Sequence, residues 1–104
     1  MTRLPALALI ALPLLAGPVA AANSIELCTQ LSQTAYSAME LRQTNAPLHE
    51  IMPQLSAALS GDELALAMGL IELAYSQPAF GTAEYQEQAS ADFANAAFRA
   101  CRED

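Results

Sequence analysis

Apolar positions along this chain follow two regimes. Residues 4–15 form an almost unbroken apolar run. Beyond residue 23 the apolar positions recur three and four apart, which is the period of a helix and not of a strand. Alternating apolar runs are absent, and the single valine, Val19, lies before that point. Ala, Leu, Glu, Gln and Met dominate the remainder, and these residues favour helix.

The spacing predicts four helices. The first covers 24–43, with Asn23 as its cap and Glu26 three residues on. Cys28, Leu31, Ala35, Ala38 and Met39 share one face, and Thr44-Asn45-Ala46-Pro47 ends the helix. Pro47 suits the first turn of a second helix, where a missing N–H costs nothing. Leu48, Ile51, Met52, Leu55 and Leu59 form its stripe. Pro53 interrupts it, so a kink or two short pieces are expected.

Gly61 is placed to stop the second helix, and Ser60 with Glu63 has capping-box spacing for a third over 62–75. That helix carries Leu64, Ala67, Met68, Ile71, Ala74 and Tyr75 on one face and Leu66, Leu70 and Leu73 on another. Two apolar faces predict the most buried helix of the set. Phe80, in the loop after Pro78, is expected to pack onto the core. Thr82 caps a fourth helix reaching about residue 102. Its expected stripe is Ala89, Phe93, Ala96, Ala97 and Ala100, with Phe98 and Cys101 alongside.

Short connections favour antiparallel neighbours. The expected fold is therefore all-α: a small up-and-down four-helix bundle, kinked at Pro53 in its second helix. In that topology the start of the first helix meets the end of the fourth. Cys28 and Cys101 then lie close enough for one disulfide. A domain this small needs such a staple, because its core is limited.

The apolar run at 4–15 changes the picture of where the chain acts. Arg3 precedes it and Ala20-x-Ala22 follows, the three-part pattern of a secretory signal. The run is shorter than a bilayer span and is broken by Pro5 and Pro13. Pro18 stands where a lipoprotein would carry its acylated cysteine. The reading is a signal peptide over 1–22 and one helical domain over 23–104. Export to the periplasm or beyond would allow the thiols to oxidise.

Charge narrows the partners. The whole chain carries −7, and cleavage after Ala22 would leave three arginines against eleven acids, or −8. There is no lysine. Such a surface repels nucleic acid and anionic lipid, whose phosphates are bound by Lys and Arg. The acids are scattered, which suits a solvated face.

Candidate chemistry is sparse. His49 is the only histidine, and its neighbour Glu50 points about 100° away around a helix. Met39, Met52 and Met68 with His49 are soft-metal or haem ligand types, but at helical spacing they read as core filler. Ser24, Thr29, Ser32, Thr34 and Ser37 lack a nucleophile's setting and read as caps and surface. Glu84, Glu87 and Asp92 read as a solvated face of the fourth helix. No cofactor, metal or enzyme activity is expected. Arg42 ends the apolar face of the first helix, where it can reach helix-end carbonyls, pair with an acid or anchor an acidic partner. Tyr36, Tyr75 and Tyr85 suit a binding surface or a core edge. The candidate partner-binding set is Arg42, Tyr36 and Tyr85.

Three stretches carry a resemblance: Cys28 with Ala35, Met39 and Arg42-Gln43; Leu73-Ala74-Tyr75 with Pro78; and Phe93 with Cys101. Together they resemble an uncharacterised group of small exported bacterial proteins, some carried on prophages. The resemblance implies a secreted helical domain with one disulfide, and no catalytic residue or ligand. In outline the chain is also similar to periplasmic acid-stress chaperones of the HdeA type. It departs from them in having no lysine, and in placing Thr29-Gln30-Leu31-Ser32 where that family is aromatic-rich. The expected function is binding of another envelope or secreted protein, with an acid-activated holdase as the alternative.

Overall fold

The computed structural model describes residues 24–103. The signal peptide expected over 1–22, its expected cleavage site and the expected Asn23 cap lie outside the described residues. Four helices and no strand occur among the described residues: α1 (Ile25–Gln43), α2 (Leu48–Ala58), α3 (Gly61–Tyr75) and α4 (Ala83–Glu103). The chain is an all-α four-helix fold, as the pattern predicts.

Each helix boundary has a local cause. Ser24 caps α1 in an extended conformation, and its Oγ accepts the N–H of Leu27 at 3.1 Å. At the other end Asn45 takes φ 58°, a left-handed value that Asn tolerates better than most residues. The Asn45 N–H then donates to the Arg42 carbonyl and the Ala46 N–H to the Leu41 carbonyl. That pair of bonds is a Schellman motif, and it turns the chain sharply into Pro47.

Pro47 precedes α2 as its cap residue rather than standing in its first turn, and the helix runs unbroken through Pro53. The expected division into two pieces does not occur. Pro53 lies in the second turn, so only the rung to the His49 carbonyl is lost. Gly61 belongs to the start of α3, whereas it was expected to close α2; Leu59 is the residue that caps α2. Gly61 has φ +62°, and Ser60 makes no side-chain cap. The expected Ser60–Glu63 capping box is therefore not formed: the left-handed turn at Gly61 begins the helix by another route. Thr82 does cap α4, accepting the Tyr85 N–H at 3.3 Å.

α1 is the hub. It packs most extensively along α4 and less so on α3, while α2 touches α3 lightly. The core combines Ala35, Ala38 and Met39 of α1 with Ile51 of α2 and Leu70, Ile71 and Ala74 of α3. Only four of these seven side chains are large. Each of those four is worth about 1.5–3 kcal/mol when fully buried. Cross-linking therefore matters. Cys28 and Cys101 form the disulfide, with Cα atoms 5.6 Å apart and a sequence separation of 73.

Two expected faces are corrected. The buried seam of α4 runs through Ser90 and Ala94, while Ala96 and Ala100 face solvent. Ala89, Phe93 and Ala97 pack at its edge. α3 is not buried on both sides. Leu70 is inside, but Leu66 and Leu73 are 52% and 57% exposed.

Candidate functional site

Three places hold the side chains singled out above. The first is the junction between the end of α1 and the loop after α3. Gln43, in the last turn of α1, is only 4% exposed. Its Nε2 donates to the Pro78 carbonyl at 2.9 Å and lies 3.3 Å from the Met39 sulfur. Its Oε1 accepts the Phe80 N–H at 2.8 Å. The amide is used on both sides, as burial requires. Beside it, the Arg42 Nε donates to the Gln77 carbonyl at 2.8 Å, and the guanidinium lies 5.6 Å from the centre of the Tyr75 ring. Arg42 thus reaches one carbonyl, that of Gln77 just past the end of α3, instead of the expected carbonyls ending its own helix, and lies over an aromatic face.

Tyr75 donates to the Ala46 carbonyl at 2.6 Å. Burial pushes the pKa of its hydroxyl up, and nearby Arg42 partly opposes that. Arg42, Gln43, Tyr75 and Pro78 therefore form one clamp holding the loop against α1. Sequence reasoning did not single out Gln43 for this. A polar residue ending an apolar stripe reads as surface; its only signal was its place in the resemblance.

The clamp presents Phe80 rather than burying it. Phe80 is 41% exposed, which corrects the expectation that it joins the core. Its backbone is fixed at both ends, by Gln43 and by the Gln86 Nε2, which donates to the Phe80 carbonyl at 2.7 Å. Its ring meets Tyr85 at 6.2 Å between centroids, tilted by 47°. Tyr85 and Phe80 make an exposed aromatic pair at the start of α4.

The second place is a cleft of about 200 Å³ between α1 and α4, lined by Tyr36 and Glu40 on one helix and Gln86, Glu87 and Ser90 on the other. The Tyr36 hydroxyl donates to Glu87 Oε2 at 3.2 Å. Partial withdrawal from water, then the Glu87 and Glu40 carboxylates, hold the Tyr36 pKa above its ordinary value.

The third place is an apolar groove of about 400 Å³ between α1 and α3. Leu27, Leu31, Leu59, Leu66, Ala67 and the disulfide at Cys101 line it, with Glu63 among its few polar groups.

Of the residues in the candidate partner set, the structure separates Arg42 from the other two and spreads Tyr36 and Tyr85 along the α1–α4 side. The remaining polar candidates are dispersed. His49 Nε2 lies 3.9 Å from Glu50 Oε2, with both side chains largely in water. Glu84 and Asp92 are exposed. Met39 is buried, and Met52 and Met68 are half-buried at separate helix positions. Among the described residues no three His, Cys, Asp or Glu side chains converge to hold a metal ion. No described helix is long and apolar enough to cross a membrane. No family model, curated protein or solved structure matches the chain.

Proposed function

We propose that this is a small exported protein that acts by binding another envelope or secreted protein, with no reaction of its own. The observation that carries the reading is the α1–α3 groove. Leu66 stands half in water at its edge, Leu27 is 40% exposed beside it, and Leu73 continues the apolar line along α3. Water-facing leucines on adjoining helix faces are what a partner's apolar side chains would cover, at about 25 cal/mol per Å² buried. The signal pattern at 1–22 and the disulfide support export.

A photo-crosslinking residue at position 66, compared with one at exposed position 84, tests this in the native host. The expected result is one product of defined mass from position 66 and none from position 84. Leu27→Gln should lower its yield without unfolding the domain. Equal labelling from both positions, or none from either, overturns the reading. The acid-stress alternative draws on the chain's excess of acids over arginines, a negative charge that low pH removes. It predicts many products that appear only in acid.

A further inference from the structure

The cleft between α1 and α4 is built unlike the rest of the surface. Tyr36 and Glu40 lie one turn apart on α1, and Glu87 and Ser90 one turn apart on α4, so two helix faces present their polar atoms to the same space. Neither carboxylate makes an ion pair among the described residues. Both act on Tyr36, whose hydroxyl already donates to Glu87.

Ser90 adds a buried polar group to the same cleft. It is 1% exposed and lines this cleft, yet its hydroxyl makes no hydrogen bond among the described residues. The other buried polar side chain, Gln43, is bonded on both sides. A buried hydroxyl without a partner weakens a fold, and serine in a helix interior usually bonds to the preceding turn. Here the serine borders the cleft with its hydrogen-bonding capacity unused.

The available atoms define what that is. The two carboxylates only accept hydrogen bonds, and the tyrosine oxygen, its proton directed to Glu87, accepts as well. The nearby amide nitrogens of Gln43 and Gln86 are already committed to the 78–80 loop. A group with several N–H donors and a positive charge satisfies this set. The volume, about 200 Å³, suits one side-chain head group and not a larger ligand. The chain has no lysine of its own to fill it.

We infer that the Tyr36–Glu40–Glu87–Ser90 cleft receives a lysine or arginine side chain of the protein partner. This rests on the reading above that the protein binds another protein. The ring of Tyr36 adds a cation–π face, and the two carboxylates draw the charge inward.

The test uses the purified, disulfide-bonded protein, ¹⁵N-labelled, titrated with N-acetyl-lysine methylamide and N-acetyl-arginine methylamide. The neutral control is the Nε-acetylated lysine compound, and 1,4-diaminobutane tests for a free-amine ligand. Saturable shifts at Tyr36, Glu40, Glu87 and Ser90 are expected with the charged side-chain probes and not with the neutral one. The Glu40→Gln/Glu87→Gln pair should weaken binding at least tenfold, and added salt should weaken it progressively. Ser90→Ala should weaken it about threefold while leaving the thermal midpoint equal or higher, an outcome that a purely structural serine would not give. Unsaturable shifts, equal binding of the neutral probe, or indifference to the double substitution overturns the inference. So does a diamine that binds far more tightly than either side-chain probe. Probe binding without a cross-link at position 66 would remove the partner reading and leave the cleft a cation site. A cross-link without probe binding would remove only the cleft.

Discussion

Replacing Gln43 by methionine keeps most of the buried volume of the side chain and removes both of its hydrogen bonds to the loop. The Pro78 carbonyl and the Phe80 N–H would then lose their partners. Both bonds are partly buried, so water recovers some of the loss, and each is worth about 1 kcal/mol. The expected destabilisation is about 2 kcal/mol. Gln43→Ala also deletes a buried methylene and its contacts, bringing the total to about 3 kcal/mol. For a domain of this size 1 kcal/mol moves Tm by about 4–8 °C, so the methionine variant should melt roughly 8–16 °C lower. Urea unfolding gives the free energy, and amide hydrogen exchange locates it. The Phe80 amide should lose protection early, ahead of the α1–α4 core. A Gln43→Met protein within 0.5 kcal/mol of the parent, with the Phe80 amide still protected, would refute the clamp.

Three further outcomes follow from the geometry. Replacing Cys28 and Cys101 together by serine should cost about 4 kcal/mol in the chain-entropy account of a 73-residue separation, read by urea unfolding; a loss under 1 kcal/mol would mean the bond does little for the fold. Gly61→Ala should cost about 1 kcal/mol through backbone strain alone, because φ is +62° and nothing lies within 4 Å of the added carbon; an unchanged midpoint would place the strain elsewhere. Tyr36 and Tyr75 have raised pKa values, so the folded state favours their neutral forms; that stability is intact below about pH 10 and lost as pH rises through the raised values. Denaturation midpoints should fall as pH rises above about 10, and less steeply in Tyr75→Phe; a flat midpoint would contradict the assigned environments.

Helix existence and order were legible because α1 to α3 alternate large apolar and polar residues at a clear period. The cysteine pairing followed from topology, since an even number of antiparallel helices returns the chain to its start. The details that went astray have definite causes. In α4 the apolar residues include Ala89, Ala91, Ala94, Ala96, Ala97 and Ala100, which surround the helix. Alanine gives so little preference for one face that the seam through Ser90 and Ala94 could not be separated from its neighbours. The capping box at Ser60 has the correct letters, but Gly61 gives the backbone a cheaper turn. Leu66 and Leu73 read as core because composition cannot distinguish a leucine covered by its own chain from one left open. Tyr36 and Tyr85 were recognised as surface candidates, yet the cleft needed Glu40, Glu87 and Ser90 to come together from two helices. No spacing within one helix encodes that meeting.

The disulfide joins the first turn of α1 to the last turn of α4. The loop it closes therefore takes in α2 and α3 whole and most of α1 and α4. Its second cysteine is synthesised only after the segments of all four helices, so the bond acts on the fold as a whole and not on any one helix pair. On the chain-entropy account it acts by restricting the unfolded chain, not by dictating the packed arrangement. A thiol-blocked chain should consequently reach the same architecture and simply leave it more often, so the bond governs how long the protein lasts rather than what shape it takes.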